Sequence, residues 1–148
     1  MEPTTRNRLK TAAAGEMFEG RLLTLSLSRI LAFSGGPFDM PEWPDKNLHT
    51  DLVKAKEAGL GGIIGSGTQF EGLLIDLMVD LFGEGWYGSG CIEAKITKSI
   101  YVGQTVQAKA AVSDRRSSPD GERVHLDVWC ENGAGEKVLA GTASALVG

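Results

Sequence analysis

The chain has 148 residues, 42% of them hydrophobic and 23% charged, a balance that excludes a disordered or fibrous protein and suits one hydrophobic core. A formal net charge of -4 and a sequence pI near 5.2 argue against a nucleic-acid or anionic-membrane partner, since either needs clustered Lys and Arg. Cys91 and Cys130 have no C-x-x-C spacing, so neither a zinc site nor a disulfide framework is expected, and reduced, buried thiols in a cytoplasmic protein fit best.

Residues 1–148 read as a single domain, with residues 1–16 (MEPTTRNRLKTAAAGE) as a loosely ordered start. That start carries Arg6, Arg8 and Lys10 but no apolar stretch of the kind a secretory signal requires. No run approaches the roughly 20 apolar residues of a membrane span. Arg21 to Ser28 (RLLTLSLS) suits either a strand or a helix, and Arg29 to Phe33 (RILAF) suits a helical turn. From Ser34 to Pro44, SGGPFDMPEWP is too rich in glycine and proline to continue either element and reads as a loop. Its Phe38, Met40 and Trp43 predict a loop folded down over something apolar.

The next words, WPDKNLHTD, place Asp45, Asn47, His49 and Asp51 close together. Histidine exchanges protons near neutral pH and a nearby carboxylate can hold a reacting water, so Asp45 and His49 are candidate acid–base residues. The plainer reading makes Asp45 a turn residue, Asp51 a helix cap and His49 incidental. The other histidine, His125, alternates with Val124 and Leu126 and is expected on a solvent-facing side of a strand. Leu52 to Ala58 predicts a short helix capped by Thr50 or Asp51 and ended by Gly59.

A cluster of glycines with Ser66 then leads into a strongly apolar helix, in which Leu73, Leu74, Leu77, Met78, Leu81 and Phe82 recur at helical spacing. Gly65 to Gln69 (GSGTQ) places small residues where the first N–H groups of that helix are unpaired, which suits a polarised carbonyl. Alternatively the glycines permit close packing and Ser66 only caps the helix. No phosphate-loop pattern is present. Gln69, Glu71, Asp76 and Asp80 are the polar exceptions on this helix.

Four segments in the second half alternate with a period of two: Cys91 to Lys98, Thr105 to Val112, Arg123 to Cys130 and Lys137 to Val147. Between them YVGQ, DRRSSPDGE and ENGAGE read as turns, with Arg115 and Arg116 in a solvated loop. The expected class is α+β, an antiparallel sheet wrapped around one long central helix, the hot-dog arrangement.

NLHTD, AKEAG, GGIIGSG and the apolar helix together resemble the MaoC-like enoyl-thioester hydratase and dehydratase family, which carries a pattern close to G-D-x-N-P-[LI]-H-x-D. The word GQTV is similar as well, and the resemblance runs from about Phe18 to Val147. It implies Asp45 and His49 as the catalytic pair, Asn47 as the orienting asparagine, and Ser66 with Gly67 as the support for the thioester carbonyl. It implies coenzyme A or an acyl carrier protein as part of the substrate, no metal or redox cofactor, and a homodimer or higher homo-oligomer. Leu48 alone separates Asn47 from His49 where the family has two residues. SGG at Ser34 to Gly36 also looks like the family's S-G-D followed by the insertion PFDMPEWP. In one alignment the aspartate is Asp45; in the other its place falls on Gly36, so that Asp39 takes over or nothing does and the pair is damaged. Two further readings stand beside the hydratase: a hot-dog thioesterase using Glu71 to activate water, and a non-catalytic partner subunit.

Overall fold

The computed structural model describes residues 4–148. Residues 1–3 of the expected loose start lie outside them, but residues 5–11 are not loose. They form α1 (Thr5–Thr11), capped by the Thr4 hydroxyl, and its Leu9 is fully buried. The reason is Arg115, whose guanidinium donates to the carbonyls of Leu9, Lys10 and Ala12 at 2.8 to 2.9 Å and pairs with Glu122. The Leu9 carbonyl also accepts the Ala12 N–H at 3.3 Å, but carbonyls at a helix end lack the next turn's donors, so a cation placed there satisfies them.

The open segment RLLTLSLS divides between two elements. β1 (Met17–Thr24) ends in it, and α2 (Leu27–Ser34) begins in it, capped by Ser26, whose hydroxyl accepts the Arg29 N–H. α3 (Leu52–Glu57) follows the loop, and Asp51 rather than Thr50 caps it by accepting the Lys54 N–H at 3.0 Å. Gly59 then turns the chain with a φ of +82°, a conformation that disfavours a side chain.

α4 (Gly67–Phe82) is the long apolar helix, and Phe70, Leu73, Leu74, Leu77, Met78, Leu81 and Phe82 are buried along it. α5 (Glu84–Ser89), absent from the sequence reading, is a short turn of helix that stacks Trp86 on Phe82 with ring centroids 6.1 Å apart. β2 (Cys91–Ile96), β3 (Thr105–Ser118), β4 (Gly121–Asn132) and β5 (Lys137–Val147) complete a five-stranded sheet in the order β1-β3-β4-β5-β2, with every neighbouring pair antiparallel.

One face of this sheet covers α4. Val106, Ala108, Ala110 and Val112 of β3 alternate inward, as do Val124, Leu126, Val128 and Cys130 of β4. Ala108 and Ala110 keep the inner face of β3 slim, and Gly20 of β1 sits where a Cβ would lie 3.7 Å from Leu77.

β3 and β4 run further than their alternation suggests. A register shift between Val112 and Asp114 breaks the period, and beyond it residues 113–118 are mostly solvated on both faces. The expected turn DRRSSPDGE is therefore strand except at Pro119 and Asp120, and Arg115 and Arg116 pair across to Val124 and Arg123 instead of lying in a loop. Cys130 is buried as expected, but Cys91 is exposed at the start of the edge strand β2. His125 lies on the outer face of β4, half-buried. No helix among the described residues is long and apolar enough to cross a membrane.

Candidate active site

Three successive carbonyls at the end of α2 gather the loop that follows. The Asn47 side-chain amide donates to the Ser34 carbonyl at 2.9 Å, the Asp45 N–H to the Gly35 carbonyl at 2.8 Å, and the Trp43 indole N–H to the Gly36 carbonyl at 3.1 Å. Residues 37–44 thus leave the end of α2 and return to it, closing on themselves. Gly36 has a φ of +78°, and a Cβ built on it would lie 3.9 Å from the Asp45 Cβ. The two alternative places for the family's aspartate therefore meet in space, because the inserted segment brings Asp45 back beside Gly36.

The insertion is less covered than its composition predicts. Phe38 is 70% exposed and packs on Trp43 with ring centroids 5.2 Å apart. Asp45 lines an open depression of about 720 Å³ together with Met40, Pro41, Glu42, Pro44 and Lys46. His49, Ser66 and Gly67 are not on its wall.

Beyond Asp45 the chain makes a tight turn. Asn47 Oδ1 accepts the His49 N–H at 2.8 Å, and the Thr50 hydroxyl accepts the Asn47 N–H at 3.0 Å. Side-chain bonds of this kind let Asn and Thr replace a regular backbone ladder. The half-buried His49 ring is fixed from the other side, where Nδ1 lies 2.9 Å from the Ile64 carbonyl oxygen. A carbonyl only accepts, so Nδ1 carries a hydrogen, and in the neutral ring the lone pair is at Nε2. Ile64 is itself held: it bridges to Tyr101, the Gly65 N–H donates to the Ile100 carbonyl at 2.9 Å, and the Val102 N–H to that of Ile63 at 3.0 Å.

Three residues after Ile64, α4 begins. Ser66 occupies the N-cap position but makes no capping bond; its hydroxyl lies 2.8 Å from the Thr68 hydroxyl instead. The first N–H groups of α4, Gly67 among them, are left at the positive end of the helix dipole. The glycines here also have a packing reason. A Cβ at Gly65 would come within 2.3 Å of Leu25, and one at Gly67 within 1.9 Å of Ile96.

Gln69 ties this first turn to α2, donating to the Arg29 carbonyl at 3.1 Å, while its buried Oε1 has no donor among the described residues. Glu71 is half-buried one residue before Gly72. The structure thus joins His49 to the segment that enters α4 and places Asn47 between Asp45 and His49. The bonds of Asp45 are backbone ones, to Gly35 and Thr50, and none joins its carboxylate to His49. Sequence reasoning missed the carbonyls of Ser34, Gly35 and Ile64, which carry no signal in residue type, and it treated Thr50 only as a possible cap.

No protein-family model matches the sequence, and no curated protein matches it either. Solved structures do. A MaoC-like dehydratase from Rhodospirillum rubrum is 22% identical, with a TM-score of 0.74 and 94% of each chain covered. An R-hydratase from Pseudomonas aeruginosa is 17% identical, with a TM-score of 0.72 over 94% of this chain and 84% of that one. An (R)-hydratase from A. caviae involved in PHA biosynthesis is 18% identical, with a TM-score of 0.64 over 94% of this chain and 99% of that one. The chain has the hot-dog fold. In this hot-dog domain α4 is the central helix, the sheet is its wrapping, and His49 and Asn47 lie on the loop segment that follows α2.

Proposed function

We propose that this hot-dog protein is a MaoC-like hydro-lyase, adding water across, or removing it from, the bond between the α and β carbons of an acyl thioester. The observation that carries the reading is the His49 to Ile64 bond, which leaves a basic imidazole nitrogen on a histidine tethered to the segment entering α4. In hydration, Asp45 and His49 grip one water and divide two tasks between them: removal of its proton as oxygen attacks the β carbon, and delivery of a proton to the α carbon. Negative charge accumulates on the thioester oxygen during that attack. The Gly67 N–H, with Ser66 beside it, stabilises that charge from the helix N-terminus. Dehydration runs the same steps backwards.

Asn47 supports the pair, since it binds the His49 N–H and anchors to Ser34. The thioester carrier, coenzyme A or acyl carrier protein, is part of the substrate, and the chemistry uses no metal or redox cofactor. We further propose a cytoplasmic homodimer or higher homo-oligomer. A second reading, a non-catalytic hot-dog partner subunit, is favoured by one observation: the Asp45 carboxylate makes no bond to His49.

The test is to incubate the protein with 2-enoyl and 3-hydroxyacyl thioesters while following enoyl absorbance and free thiol together. A change in the enoyl band without thiol, abolished in His49→Ala and Asp45→Asn, supports the hydro-lyase. Thiol release moves the assignment to a thioesterase with Glu71 as the base, and silence in both channels favours the partner subunit.

A further inference from the structure

The backbone at Asp45 is fixed at two points, and one of them depends on a single side chain. Its N–H donates to the Gly35 carbonyl at 2.8 Å, and its carbonyl accepts from the Thr50 hydroxyl at 2.5 Å. The same Thr50 oxygen accepts the Asn47 N–H at 3.0 Å. A hydroxyl has one hydrogen and two lone pairs, so this arrangement uses the hydrogen for Asp45 and a lone pair for Asn47. Valine has the shape of threonine and can do neither.

The consequence reaches both candidate acid–base residues. Asn47 holds the His49 N–H at 2.8 Å through Oδ1, while the Asp45 carboxylate projects from a residue whose bonds are all backbone ones. Among the described residues no side-chain bond fixes that carboxylate, so its place relative to His49 is inherited from the backbone. Residues 37–44 immediately before it form an insertion with exposed residues such as Phe38. Without the Thr50 bond, Asp45 would hang from the Gly35 bond alone, at the hinge of that insertion.

We propose that Thr50 is a positioning residue that sets the separation between Asp45 and His49, taking over the spacing role of the residue that is missing between Asn47 and His49. The proposal rests on the hydro-lyase reading above. A displacement of about 1 Å in a reacting group costs about a hundredfold in rate, so a clasp of this kind acts on turnover more than on binding.

The experiment compares Thr50→Val with Thr50→Ser. The valine variant is expected to lower kcat by roughly tenfold to a hundredfold with KM unchanged, and the serine variant to recover most of the loss. A readout independent of turnover is available because the chain has 2 histidines, whose ring resonances can be told apart by substituting His125. Thr50→Val should move the His49 ring resonances and leave those of His125 in place.

Unaltered kcat and an unaltered His49 resonance in Thr50→Val overturn the proposal. So does a parallel loss of kcat and stability that serine does not recover. Should Thr50→Val fail to fold, Thr50→Ala removes the same hydroxyl without the branched carbons, and failure of both marks the hydroxyl as purely structural. If the unsubstituted protein acts on no enoyl thioester, the hydro-lyase reading falls by that result alone. The His49 resonance then still decides whether Thr50 positions it.

Discussion

His49 Nδ1 stands 2.9 Å from the carbonyl oxygen of Ile64, in the strand-like segment that runs into α4. The bond orients the ring and assigns its hydrogen, and it ties the loop after α2 to the central helix. His49→Ala is therefore expected to lower hydration of a 2-enoyl thioester by about 10² to 10⁴-fold. Absorbance of the enoyl band measures this, and a rate equal to that of the unsubstituted protein would remove His49 from the reaction.

The two thiols differ sharply in environment. Cys91 is exposed at the sheet edge, whereas Cys130 donates to the Phe70 carbonyl at 3.4 Å and burial pushes its pKa up to about 12. A thiolate is the reactive form, so an aromatic disulfide reagent should titrate one thiol in the native protein and a second only after unfolding. Cys91→Ser should abolish the fast reaction. A native protein in which both thiols react at one rate would contradict the packing of Cys130 under α4.

On the outer face of the sheet the Lys109 ammonium lies 2.6 Å from Glu131. That ammonium, aided by the Trp129 indole N–H, holds the Glu131 carboxyl below its usual range, and Glu131 in turn raises Lys109. A carboxyl whose pKa is depressed on folding adds stability at pH above its unfolded value of about 4.3 and loses it as pH falls through the lower folded value. The melting temperature of Glu131→Gln should lie below that of the parent at neutral pH, with the gap closing below about pH 4. A gap that persists in acid would mean that Glu131 acts by packing alone.

Arg115 holds α1 in place through three carbonyls. Arg115→Met removes the guanidinium from all three, leaving the Leu9 carbonyl with only the Ala12 N–H, and is expected to cost about 1–3 kcal/mol. Limited trypsin digestion is the sharper probe, because Arg6, Arg8 and Lys10 lie within α1. Cleavage there should accelerate in the variant, and unchanged cleavage would show that Leu9 alone docks the helix.

β2 and β5 approach each other closely at Gly141, where an added Cβ would come within 1.9 Å of the Glu93 carbonyl oxygen and 2.6 Å of the Ala94 Cα. Backbone cannot rotate away as a side chain can. Gly141→Ala should therefore destabilise the protein by about 3 kcal/mol, the upper end of ordinary overpacking. Denaturant unfolding measures it, and a loss under about 1 kcal/mol would show that the edge strand yields freely.

Much of this architecture was legible in the residues themselves. The apolar stripe from Phe70 to Phe82 and the alternation in β3 and β4 mark burial on one side, and burial imposes the periods of helix and strand directly on the sequence. β5 departs from the expected alternation, with Val138 and Leu139 both buried and Ala143, Ser144 and Ala145 buried in succession. The resemblance drew attention to His49, Asn47 and the Ser66–Gly67 corner for the same local reason: short turns and helix starts depend on residue types within a few positions. β1 and α2 were blurred because RLLTLSLS straddles the end of a strand and the cap of a helix. The far half of β3 was missed because the register shift before Asp114 and solvent on both faces erased its period.

By itself the sequence determined the central helix, the antiparallel wrapping and the segments that bear Asp45 and His49, since each follows from patterns of burial or turn chemistry along the chain. Only the tertiary structure decided where Asp45 goes. Its place beside Gly36 depends on a segment of residues 37–44 closing on backbone carbonyls of α2, and the anchoring of His49 depends on the carbonyl of Ile64. Backbone acceptors are the same at every residue, so no choice of amino acid announces them; they act only once folding has brought distant parts of the chain together.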